Sequence, residues 1–167
     1  MTTHTRVWRS VYYLALLLIL TPLLDLFSNA WPIQAGTMMW RFGFLGLLGN
    51  NLLTPFLGLV LAAVAAATLE QPRVLKTVAV VNFILCVVVI AAIVLFALDA
   101  LQLHKNVNPQ VLERFETGSA IAMVKYVLAL IGFAILGRSA LKAAGKRGEH
   151  GRSRQKKESP EAGLLIR

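Results

Sequence analysis

Polar positions are spaced along this chain so that four long apolar runs stand between them, at about 7–27, 51–69, 77–98 and 119–136. A helix needs roughly 20 such residues to cross a ~30 Å hydrocarbon layer, and each run reaches about that length. The first, "VWRSVYYLALLLILTPLLDLF", is interrupted by Pro22 and Asp25. Thr21 precedes the proline, and its hydroxyl can bond a carbonyl freed by the missing amide, so a kink there is tolerable. The pattern predicts an all-α, integral membrane four-helix bundle over residues 1–137, followed by a basic tail over 138–167. In that tail a short helical extension should give way to disorder. In the connector before the fourth run, Asn108-Pro109 reads as a helix start, because Asn caps and Pro suits the first turn.

The segment between the first two runs, "SNAWPIQAGTMMWRFGFLGLLGNN", is too apolar for free solvent and too polar for a bilayer centre. Trp31, Trp40, Met38, Met39, Phe42 and Phe44 suit the headgroup region, where tryptophan rings anchor. The expectation is an interfacial helix on the outer face between helices 1 and 2. The alternative is an outward extension of the second span that bends at Pro55. Gly43, Gly46 and Gly49 recur every third residue and would let another backbone approach closely, while weakening the helix.

Charge then sets the threading. Net charge is +9, from 17 Lys and Arg against 8 Asp and Glu. With both ends on one side of the membrane, that side holds thirteen basic residues, the opposite side holds three (Arg41, Lys105 and Arg114), and Lys125 lies within the fourth run. The positive-inside rule therefore predicts both termini in the cytoplasm of a bacterial-type inner membrane. A rival reading makes residues 1–30 a cleaved signal peptide, since "SNA" before Trp31 offers small residues to a signal peptidase. Composition agrees with a membrane protein: 57% of residues are hydrophobic and the mean hydropathy is +0.67.

Candidate chemistry is sparse. No nucleophile elbow, Walker loop, HExxH or Cys-x-x-Cys pair is present. The single Cys86 has no histidine or second cysteine near it within the runs, so no metal or other cofactor is expected. Asp25, Asp99 and Lys125 gather towards the outer leaflet, where a buried charge seeks a partner. Asp25 or Asp99 paired with Lys125 would tie helix ends together; as a transporter or channel, the protein would use the three as a relay. Gly58, Ala62 and Ala66, extended by Thr54, form a small-residue series for close helix packing, and Asn82 should hydrogen-bond a neighbouring helix. Arg152, Arg154, Lys156 and Lys157 in the tail suit anionic lipid better than nucleic acid, because no aromatics are interleaved with them.

The stretch from about residue 25 to 60 resembles the HpsJ-like small membrane proteins linked to polysaccharide export. Pro32, the Trp40-Arg41 pair, Pro55 and "LGL" at 57–59 carry the resemblance. It implies an accessory role beside an envelope polysaccharide system and carries over no catalytic residue. The leading expectation is a non-enzymatic accessory or assembly subunit. It would contact other membrane proteins, or itself, through Trp31, Trp40, Arg41, Gly43 and Gly46. An enzyme acting on a lipid phosphate held by Arg41 is the remaining alternative, and it has no evident general base.

Overall fold

The computed structural model describes residues 3–105 and 107–158, with side-chain surroundings for 7–105 and 107–146. Five helices follow one another: α1 (Thr3–Ala30), α2 (Met38–Asn51), α3 (Leu53–Thr68), α4 (Pro72–His104) and α5 (Leu112–Glu158). Among the described residues there is no strand. Four helical segments, Val7–Ala30, Met38–Thr68, Pro72–His104 and Pro109–Lys146, are long and apolar enough to cross a membrane. They outrun the apolar runs because a helix continues through headgroups and water, where apolarity is no longer required. Beyond position 137 helix α5 continues as far as Glu158, a longer extension than the short one expected there. The side chains of Arg152, Arg154, Lys156 and Lys157 lie outside the described residues.

Helix α2 is the start of the second spanning segment. Leu52 joins it to α3 with helical torsions (φ −67°, ψ −27°). The break falls where Pro55 has no N–H to offer the carbonyl four residues back, that of Asn51. Contacts advance down α2–α3 and α5 together. Phe42 stacks on Phe115, Lys125 bonds Asn50, and Phe56 fills the space at Gly132. Two helices side by side and pointing the same way produce that progression.

The α3–α4 connection is a tight turn. Gln71 N–H donates to Ala66 O at 2.9 Å and Glu70 N–H to Ala67 O at 3.4 Å, a Schellman pattern. Glu70 takes the left-handed position (φ 54°) that glycine usually fills. At the other connection Asn108 Oδ1 accepts from Gln110 N–H at 3.0 Å, opening a 3-10 turn at Pro109–Val111 that leads into α5. The helix start expected at Asn108-Pro109 is there.

Packing is uneven. Helices α4 and α5 form the most extensive pair, whereas α1 packs on α2 and α3 and reaches the turn before α4 through Tyr12, whose hydroxyl donates to Gln71 Oε1 at 2.8 Å. Gly58 makes that seat: a Cβ there would stand 2.8 Å from Ala15 O and 2.8 Å from Ile19. Its series then divides, because Ala66 is fully buried in a cluster with Leu75, Val78, Ala79, Ala140 and Ala144, and Ala62 packs at its edge. Asn82 departs from expectation. It is fully buried, but its Nδ2 donates to Val78 O of its own helix at 2.8 Å, and its Oδ1 has no partner among the described residues. Gly137 of α5 comes so close that an added Cβ would sit 3.2 Å from Asn82 Cβ. This approach presents no donor to the amide.

Candidate functional site

Chemistry-bearing side chains concentrate at the end of the bundle formed by the α1–α2 and α4–α5 connections. The core of this site is an ion pair. Arg41 Nη2 donates to Asp99 Oδ1 at 2.8 Å, and Arg41 Nε donates to Asp99 Oδ2 at 3.2 Å. A guanidinium presents two parallel N–H bonds that match a carboxylate, so the contact fixes direction as well as distance. Asp99's side chain is 4% exposed and Arg41's is 39%. The carboxylate is thus committed to this partner, while the arginine stem reaches towards the surface.

Three other fasteners hold α2. Trp40 Nε1 donates to Ala30 O at 3.1 Å, capping the end of α1, and the Trp40 ring stacks on Phe44 with centroids 5.1 Å apart. The Tyr126 hydroxyl donates to Leu45 O, and the Tyr126 ring lies against Gly49, where a Cβ would come within 3.1 Å. Phe42 stacks between Phe96 (4.8 Å) and Phe115 (5.4 Å), joining α2, α4 and α5. Such aromatic pairs contribute about 0.5–1.5 kcal/mol each beyond the area they bury. Tyr126 is fully buried. Tyr126→Phe should therefore cost about 1 kcal/mol, since it removes a buried hydrogen bond between α5 and α2 while leaving the ring in place. Thermal unfolding of the purified variant measures this, and an unchanged midpoint would mean that the bond adds nothing to stability.

Beside these fasteners lies a cavity of about 370 Å³ lined by Phe42, Gly46, Asn50, Arg114, Ser119 and Lys125 among others. Lys125 Nζ donates to Asn50 Oδ1 at 2.6 Å. Ser119 Oγ has no hydrogen-bond partner among the described residues. A second, more apolar cavity of about 340 Å³ shares Asn50 and Lys125 with the first and runs along Leu53, Phe56, Leu128 and Gly132.

These placements correct several expectations. Asp25, Asp99 and Lys125 do not meet. Asp99 is taken by Arg41, Lys125 by Asn50, and Asp25 is exposed and in neither ion pair found among the described residues. The second of those pairs is His104 Nε2 with Glu116 Oε1, 2.9 Å apart. The physical reason is reach: Arg41 on the extended second segment arrives at Asp99 with a two-pronged donor. The glycine series is not one packing face either. Gly49 meets a ring and not a backbone, Gly46 opens on the cavity, and Gly43 is exposed with nothing within 4 Å of a Cβ. Arg41 spends two of its five N–H groups on Asp99, so its charge is offset before any other anion is met.

Tyr126, Asn50, Ser119 and the place of Arg114 in the cavity lining were missed in the sequence. A tyrosine beside a lysine in "VKYVL" was the one available signal, and an aromatic inside an apolar run is ordinary. Comparison with known proteins finds no matching family model, no matching curated protein and no matching solved structure, so this chain's function is argued from its own residues.

Proposed function

We propose that the protein is a non-enzymatic accessory or assembly subunit of a multi-pass membrane complex, with both termini in the cytoplasm and the α1–α2 connection outside. The observation that supports it most is the combination of a firmly held α2 with an apolar surface left open beside it. Trp31, Ile33 and Met39 are 68%, 59% and 72% exposed, and Phe27 stands next to Trp31. Apolar groups fixed in place at one end of a bundle suit either the headgroup region or a partner's surface. On this reading residues 31–37 and the start of α2 are the interfacial part, and the rest of α2 continues the second span. Trp40 and Arg41 act as positioning residues; contact falls to Trp31, Ile33 and Met39. The tail residues Arg152, Arg154, Lys156 and Lys157 would meet anionic lipid on the cytoplasmic side. The resemblance over residues 25–60 makes an envelope polysaccharide system the first place to look for the complex.

The triple variant Trp31→Ala, Ile33→Ser, Met39→Ser tests this. Purified in mild detergent, it should lose a defined set of co-purifying membrane proteins, or its own second copy, by about ten-fold, as removal of one interface hot spot does. Its melting temperature should stay within a degree or two of the parent's. Retention of every companion at parental levels would sink the reading.

A further inference from the structure

The two cavities adjoin at Asn50 and Lys125, which line both, and together they make a depression whose chemistry changes along its length. At the upper end stand Arg114 and Lys125. They are eleven residues apart on α5, three full turns, and therefore lie on one stripe of the helix. Neither belongs to an ion pair among the described residues; the two pairs there consume Arg41, Asp99, His104 and Glu116. Glu113 lines an adjoining shallow depression that shares Arg114, Gly118 and Ile121 with the first cavity, and it does not line the first cavity itself. Lys125 uses one N–H on Asn50 and keeps two free, and Ser119 Oγ adds an unpartnered hydroxyl to the lining.

Two glycines create the space. A Cβ at Gly46 or Gly118 would meet nothing within 4 Å, and both residues line the cavity. Below Lys125 the same stripe becomes apolar through Leu128, Ala129 and Gly132, faced by Leu52, Leu53 and Phe56. That lower part extends about 10 Å along the helix at 1.5 Å per residue.

We propose that this depression binds a phosphate-headed lipid, with the phosphate at Lys125, the rest of the headgroup in the pocket towards Arg114, which stands about 16 Å further along the helix axis, and an acyl chain in the groove beside Phe56 and Gly132. Charge complementarity selects the headgroup, because two cations without carboxylate partners border a pocket rich in donors. The adjoining apolar groove selects a lipid over a free anion, which would leave that groove unused. The site is independent of the partner-binding role proposed above, since Trp31, Ile33 and Met39 do not line it.

Photolabelling tests the assignment on the full chain. The protein is placed in phosphatidylcholine nanodiscs with a small fraction of phosphatidylglycerol bearing a diazirine on its acyl chain; a phosphatidylcholine diazirine serves as control. The anionic probe should label peptides covering 50–56 and 128–132 about thirty-fold more than the control probe, the scale expected for two basic residues near a membrane surface. Arg114→Gln with Lys125→Gln should bring labelling down to the control level. Gly118→Leu, which fills the pocket from an open position, should do the same without lowering the melting temperature. Arg138→Gln, on an exposed residue outside both cavities, should change nothing. Equal labelling by both probes overturns the proposal, as does a double variant that labels normally or an Arg138→Gln loss as large as the double variant's. Displacement of the anionic probe by inorganic phosphate would assign the pocket to the free anion and overturn the lipid.

Discussion

Gly58→Ala should destabilise the protein by about 1–3 kcal/mol, the usual cost of overpacking, although alanine is the better helix former. The new methyl group would stand 2.8 Å from the backbone oxygen of Ala15 and 2.8 Å from Ile19 Cγ1. Ile19 could rotate away. A backbone oxygen within α1 cannot move unless the whole helix moves, and α1 is held chiefly by α2 and α3, with a side-chain bond from Tyr12 to Gln71. Gly58→Leu should go further and separate α1 from the bundle. The same exchange at Gly46 or Gly118 should have the opposite sign, a gain of about 0.5–1 kcal/mol, because the methyl meets open space and the helix loses a glycine. Melting temperatures of the three alanine variants in one detergent check this directly. If Gly58→Ala melted above the parent, the close approach of α1 and α3 would not be a constraint.

Breaking the Arg41–Asp99 pair should be asymmetric. Arg41→Gln should lower the melting temperature by several degrees, and by more than Asp99→Asn. Removal of the arginine strands a carboxylate whose side chain is 4% exposed. A carboxylate left so buried has lost the partner that offset its desolvation. Removal of the carboxylate's charge leaves an arginine that is 39% exposed and already near water, with an amide oxygen still able to accept from it. The double variant Arg41→Met, Asp99→Leu should recover much of the loss, since replacing both members of such a pair with apolar groups is often neutral. A melting series of the four proteins decides the point. Asp99→Asn proving as damaging as Arg41→Gln would show that the arginine, and not the carboxylate, carries the burial cost. Loss of the pair should also loosen α2 and weaken partner retention together with stability. The Trp31, Ile33 and Met39 variant separates those two effects.

Much of the architecture follows from the sequence alone, and particular residues show why. Four apolar runs could become only helices of spanning length, because hydrocarbon leaves no other partner for backbone N–H and C=O groups. Asn108-Pro109 marked a helix start through interactions that reach no further than two residues. Gly58 was legible as a packing position because small residues at four-residue spacing fall on one helix face. These properties depend on neighbours along the chain or on the solvent.

The partners of the polar groups were decided by the tertiary structure. Asp99 and Lys125 looked alike in the sequence as charges near the end of a run, and nothing local distinguishes a carboxylate that meets Arg41, 58 residues away, from one that meets Lys125. That choice depends on α2 continuing α3 past Pro55 and lying along α4 and α5, which brings a two-pronged donor to Asp99 and leaves Lys125 to Asn50. Asn82 shows the converse: its polarity implied a partner across the interface, and the close approach of Gly137 supplied none. Spacing along a helix fixes which face a residue occupies; which side chain waits opposite is fixed only once the helices have packed.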